Sequence, residues 1–137
     1  MIHYIDGIKY KLVHDAEFKT RIKLHADVDS EYILLRTNGW MLVRAGYCWD
    51  GPSGPMADTQ DLMYPSLGHD ALYELLRKEL IPAPLRRLAD LSMIDWSKET
   101  NVQAVRRAYT LAGLSLVGAA AADPKNKRKV LTAPDAN

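Results

Sequence analysis

The hydrophobic pattern of this chain changes period near residue 50, and that change limits its architecture more than any other feature. Up to that point apolar residues alternate in short runs: Ile8–Val13, Phe18–Leu24, Tyr32–Arg36 and Trp40–Arg44. A period of two is the mark of strands with one buried face. Asp6-Gly7, Asp27-Val28-Asp29-Ser30 and Asn38-Gly39 separate the runs as turn signals. Asn-Gly predicts a tight type I′ hairpin, because both central residues of that turn need positive φ. The spacing therefore predicts an antiparallel β-meander of three or four strands over 8–44. Lys9, Lys11, Lys19, Arg21 and Lys23 are expected on its outer side.

After residue 60 the period becomes helical. Leu67, Ala71, Leu72, Leu75 and Leu76 fall on one stripe, with Glu74, Arg77 and Lys78 opposite. Ser66 is the expected N-cap, with Pro65 in front of it. Ile81-Pro82-Ala83-Pro84 interrupts the run, since a proline ring cannot continue a helix. A second helix is expected over 85–97, with Leu88, Leu91, Ile94 and Asp95 within its periodic face. A third is expected over 102–121, ended by Asp123-Pro124. The fold class is thus α+β: an N-terminal sheet, a Gly/Pro loop, then two or three packed helices. Residues 1–123 form one domain in this reading, and 124–137 form a basic, then polar tail.

Composition narrows the function classes. Hydrophobic residues make up 47% and charged residues 26% of the 137, as in an ordinary globular chain. Eighteen basic residues against seventeen acidic ones leave a net charge of +1, so no specific nucleic-acid binding is expected. The single cysteine, Cys48, excludes an intrachain disulfide and a cysteine-cluster zinc site. The first twenty residues lack the apolar core of a signal peptide. The most apolar stretch, Ala108–Ala122, has fifteen residues. That is too few to span a hydrocarbon core of about 30 Å.

The chemistry-bearing residues gather between the two halves. Ala45–Gly68 holds four of the eight glycines and three of the seven prolines. A loop of that length inside a compact domain is commonly functional. It runs into Gly68-His69-Asp70-Ala71-Leu72-Tyr73. Neighbours on a helix point about 100° apart, so His69 and Asp70 face different partners. His69 and Tyr73, four apart, share one face. Asp90 follows His69 by twenty-one residues, and in an antiparallel helix pair it lies opposite the start of the first helix. A neutral imidazole held by a carboxylate is a general base for water. A hard cation on Asp70 and loop carbonyls would polarise an ester carbonyl, and Gly51 and Gly54 would let that loop curl.

The stretch 46–73 resembles the calcium loop and catalytic helix of phospholipase A2, a glycine-rich loop leading to His-Asp-x-x-Tyr. The resemblance implies His69 as base, Asp90 as its orienter and Tyr73 as a brace. It also implies a calcium ion held by Asp70 and by the carbonyls of Trp49, Gly51 and Ser53. The disulfides of that family are absent here. Over roughly 8–115 the chain resembles a phage and prophage family, domain of unknown function 1353. That family shows strands, a Gly-aromatic-x-x-Asp-Gly-x-Ser-x-Pro segment, His-Asp-x-Leu-Tyr and Ala-Asp. The corresponding residues here are Gly46–Pro55, His69–Tyr73 and Ala89-Asp90. This likeness implies a phage setting: host cytoplasm or virion, phage structural proteins as partners, or membrane lipid as substrate. Two functions follow as expectations. One is a calcium-assisted ester hydrolase. The alternative is a virion or assembly protein that uses the helix pair for protein contacts.

Plainer readings stand beside these. His69, Asp70, Tyr73 and Asp90 also suit a buried network holding two helices in register. Asp50–Pro55 suits a compact loop, and Asp58 and Asp61 suit solvated loop acids. His3, His14 and His25 have no ligand at metal spacing, and Cys48 has no basic neighbour to activate it. Trp40, Trp49 and Trp96 read as core or rim. The Lys125–Lys129 cluster reads as a solvated tail, the alternative being contact with an acidic protein, nucleic acid or anionic lipid.

Overall fold

The computed structural model describes residues 2–4, 10–49, 60–100, 122 and 131–133. The elements in chain order are β1 (Ile2–Tyr4), β2 (Tyr10–Lys11), β3 (Ala16–Lys19), β4 (Val28–Asp29), β5 (Ile33–Leu35), β6 (Trp40–Val43), β7 (Cys48–Trp49), α1 (Gln60–Arg77), α2 (Arg86–Glu99) and β8 (Leu131–Ala133). An N-terminal antiparallel sheet is followed by two helices, so the fold is α+β.

The four-stranded sheet has the order β3-β6-β5-β4. Strands β4, β5 and β6 form a meander, while β3 crosses to lie antiparallel beside β6, a Greek-key order. The segment expected to be a turn, Asp27–Ser30, contributes β4 instead. Val28 packs against the core, and the chain reverses one step later, where the Ser30 amide donates to the Ile33 carbonyl at 2.8 Å. The run 8–13 supplies only β2, which pairs with β7 apart from the main sheet. The run 18–24 is extended only through Lys19. Beyond it Thr20 stays beside the 38–39 hairpin, its amide and hydroxyl both donating to the Gly39 carbonyl, at 2.9 and 2.7 Å.

The Asn38-Gly39 hairpin forms, but not as a type I′ turn. Gly39 has φ of 95°, whereas Asn38 has no positive φ. The Gly39 amide donates to the Arg36 carbonyl at 3.0 Å, and the Arg36 amide to the Trp40 carbonyl at 2.8 Å. This is the three-residue hairpin in which one left-handed glycine follows an ordinary turn. Asn38 meets the remaining need with its side chain, accepting from the Trp40 amide at 3.1 Å. Lys11, Lys19, Arg21 and Lys23 are exposed as expected, while Lys9 lies outside the described residues.

Helix α1 starts at Gln60, six residues before the expected cap, and carries Pro65 inside it. Ser66 therefore caps nothing. Its hydroxyl donates to the Met63 carbonyl at 3.0 Å and accepts the Trp49 indole N–H at 3.2 Å. The apolar stripe behaves as read: Leu67, Ala71, Leu72, Leu75 and Leu76 are all buried.

The helix ends in a Schellman motif, with Leu80 N–H on the Leu75 carbonyl and Glu79 N–H on that of Leu76. Glu79 takes the left-handed position at φ 58°, where glycine is usual. Glu79→Gly is expected to raise stability by about 0.5–1 kcal/mol. A chemical-denaturation midpoint that stays level or falls would contradict this.

Helix α2 presents a different face from the one its leucines predicted. Leu88, Leu91, Ile94 and Asp95 are only half-buried, while Ala89, Asp90, Ser92, Met93, Trp96 and Ser97 are buried. Two serines hide on this face because each hydroxyl donates to the carbonyl four residues back, Leu88 and Met93, at 2.8 Å. The expected third helix lies outside the described residues, apart from helical, buried Ala122. Within the polar tail, β8 pairs antiparallel with β1.

The sheet packs its Phe18, Ile33, Leu35, Met41 and Val43 face onto the helices. Phe18 stacks on Tyr64 and meets the edge of Trp96. The Trp96 indole donates to the Lys19 carbonyl at 2.8 Å, and Arg21 forms a bidentate pair with Asp95 at 2.6 and 2.8 Å. Gly68 makes this approach possible. A Cβ there would lie 2.6 Å from the Trp96 ring and 2.7 Å from that of Phe18.

Candidate functional site

The helix pair is antiparallel: Gly68 faces Trp96, whereas Tyr73, further along α1, faces Asp90, further back on α2. This arrangement brings His69, Tyr73 and Asp90 together. His69 Nε2 lies 2.8 Å from Asp90 Oδ1, and the Tyr73 hydroxyl donates to the same oxygen at 2.6 Å. Asp90 is fully buried and His69 is 4% exposed. The imidazole and phenol rings, four residues apart on α1, pack with centroids 4.0 Å apart. Arg86 Nη1 approaches the other oxygen, Asp90 Oδ2, at 3.4 Å.

The chemistry of the carboxylate sets the roles. A carboxylate only accepts, so the ring nitrogen that faces it, His69 Nε2, is the donor of this pair. Among the described residues no group hydrogen-bonds Nδ1. Burial, with the Asp90 hydrogen bond and charge, holds the Tyr73 phenol well above its usual range, so it stays a donor. The site is a buried imidazole with Nε2 bound and no described hydrogen-bond partner on Nδ1, and a general base needs one such unbound nitrogen.

Asp70 faces elsewhere, as adjacent helical positions require. It has no hydrogen-bond donor among the described residues. Burial pushes its carboxyl up to about 7, with Arg77 opposing the rise and Glu74 adding to it. The folded chain therefore keeps this proton to a higher pH than the unfolded chain does. The stability gained is complete below about pH 4 and is lost as pH rises through about 7. For a half-buried group the loss is on the order of 2–3 kcal/mol. Asp70→Asn is expected to remove this slope, and unfolding free energies measured from pH 4 to 8 on both proteins would show it. Equal slopes would contradict the assignment.

Of the other expected ligands, Trp49 ends β7 opposite Tyr10, with its ring buried and its indole tied to Ser66 on α1. Gly51 and Ser53 lie outside the described residues. Among the described residues no three His, Cys, Asp or Glu side chains converge as a metal site. Sequence reasoning missed two participants. Arg86 was legible as an Arg-x-x-x-Asp step onto Asp90, one helical turn away. Ser66, taken as a cap, anchors Trp49 instead. Trp40 lies on the outer face of the sheet, 42% exposed, with the Lys19 ammonium 5.3 Å from its ring centroid. No described helix is long and apolar enough to cross a membrane. No family model, curated protein or solved structure matches the chain.

Proposed function

We propose that this protein is an ester hydrolase of phospholipase A2 type, in which His69 is the general base and membrane lipid the substrate. One observation carries the reading: a buried imidazole bound through Nε2 to Asp90, with no hydrogen-bond partner on Nδ1 among the described residues. In the proposed reaction Nδ1 takes a proton from water as the water oxygen bonds to the ester carbonyl. Asp90 stabilises the imidazolium that forms. The proton then passes to the alkoxide as the ester C–O bond breaks, which returns His69 to its starting state. Tyr73 holds Asp90 in place throughout.

Calcium is the cofactor this reading implies. Asp70 is the carboxylate for it: no described donor occupies its oxygens, and a hard cation bound there would displace the proton that burial retains up to about pH 7. Trp49, Gly51 and Ser53 would supply backbone oxygens. When bound, the ion would polarise the ester carbonyl. The likenesses to phospholipase A2 and to the phage family, read from the same residues, support the assignment and a host-cytoplasm or virion setting.

Calorimetric calcium titration of wild type and Asp70→Asn tests the cation. Wild type is expected to bind at micromolar to millimolar calcium and the variant at least tenfold more weakly. The absence of heat in both up to several millimolar would overturn the calcium assignment.

A second reading, a phage virion or assembly component, draws on Trp40 at the outer face of the sheet, where a protein partner could cover it. In that case the Asp90 network is only a clamp between helices.

A further inference from the structure

Arg86 reaches the one oxygen of Asp90 that His69 and Tyr73 leave over. Both of those residues sit on Oδ1, at 2.8 and 2.6 Å. Arg86 Nη1 lies 3.4 Å from Oδ2 and is its only side-chain hydrogen-bond partner among the described residues. A buried carboxylate held through one oxygen can turn about its Cβ–Cγ bond, a soft two-fold torsion, and exchange the two. Its charge also needs a counter-charge once water is excluded. Arg86 meets both requirements from the same helix.

The helix itself gains little from the residue. Arg86 opens α2, whose first turn holds no acidic side chain, so its charge opposes the macrodipole there. Arginine ahead of aspartate at i,i+4 is also the weaker order for a helical ion pair.

We propose that Arg86 is a positioning residue of the His69 site: its guanidinium fixes the Asp90 carboxylate, and through it the Nε2–H tautomer of His69. The kinetic consequence rests on the hydrolase reading; the tautomer consequence does not.

Long-range 1H–15N spectra of the imidazole rings, on wild type, Arg86→Met and Arg86→Lys, read the tautomer directly. Wild type is expected to show one tautomer, protonated at Nε2. Arg86→Met is expected to show averaged ring shifts, and Arg86→Lys to return most of the wild-type pattern. With calcium and short-chain phospholipid, Arg86→Met is expected to lower kcat about 10-fold or more, with KM within about 3-fold. Arg86→Lys is expected to keep kcat within about 3-fold. If Arg86→Met does not give a folded spectrum, Arg86→Gln serves as the uncharged variant. A wild-type ring pattern in the folded, uncharged variant overturns the positioning role. Absence of turnover in wild type overturns the hydrolase reading instead and leaves the spectra to decide on Arg86.

Discussion

Replacing His69 with asparagine is expected to lower phospholipid ester turnover by about 10²–10⁴-fold, the range a positioned general base contributes. The same change removes a buried hydrogen bond to Asp90, so it is expected to cost about 1–3 kcal/mol of stability as well. Turnover alone would then confuse lost chemistry with lost folding. Tyr73→Phe separates the two, since it also deletes one bond to Asp90 Oδ1 but leaves the imidazole in place. The two variants are expected to melt at similar temperatures. Tyr73→Phe is expected to lose at most about 10-fold in turnover, because Asp90 keeps its bond to His69. Turnover by His69→Asn within about 3-fold of wild type, measured with calcium at a temperature where both proteins are folded, would rule out the base. Equal, large losses in both variants would point to the clamp between helices.

A large effect on stability is expected from Gly68→Ala. In an exposed helix that change gains about 1 kcal/mol, since alanine is the better helix former. Here the added methyl would lie 2.6–2.7 Å from ring carbons of Trp96 and Phe18. Neither ring has free room: both are buried, Trp96 is tied to the Lys19 carbonyl, and Phe18 is stacked on Tyr64. Overpacking of this kind costs about 1–3 kcal/mol or more. The expected net result is a loss of about 2 kcal/mol, seen as a fall in Tm of several degrees. An unchanged or higher Tm would mean that sheet and helices can separate slightly at no cost. Gly68 precedes His69, so the same variant is expected to disturb the dyad as the helix shifts.

The features legible in the sequence were those with a strong period. The alternating runs placed β5 and β6 closely, and the leucine stripe placed the buried face of α1. Strand β4 was not legible, because two residues set among Asp27, Asp29 and Ser30 have the composition of a turn. Only their pairing with Leu34 and Leu35 makes them a strand. Pro65 hid the start of α1, since a proline reads as a boundary even where a helix tolerates it. For α2 the leucines misled. The face that packs on α1 carries a carboxylate and small polar residues, whose needs are met by Tyr73, His69 and the helix's own carbonyls. Spacing did place His69, Tyr73 and Asp90 on facing helices. It could not assign two of them to one oxygen of Asp90, since that depends on how closely the helices approach.

The hydrogen bond from the Trp49 indole to Ser66 has a consequence for the environment in which the site can operate. It ties together two positions 17 apart in the chain, the last residue of β7 and the body of α1. A disulfide over that separation would restrict the unfolded chain by about 3 kcal/mol, whereas one neutral hydrogen bond contributes about 1 kcal/mol. The two positions are thus held by a reversible latch that contains no sulfur. Thiols that would dismantle a cystine brace leave such a latch untouched, so this tie between β7 and α1 does not depend on the redox state of its surroundings.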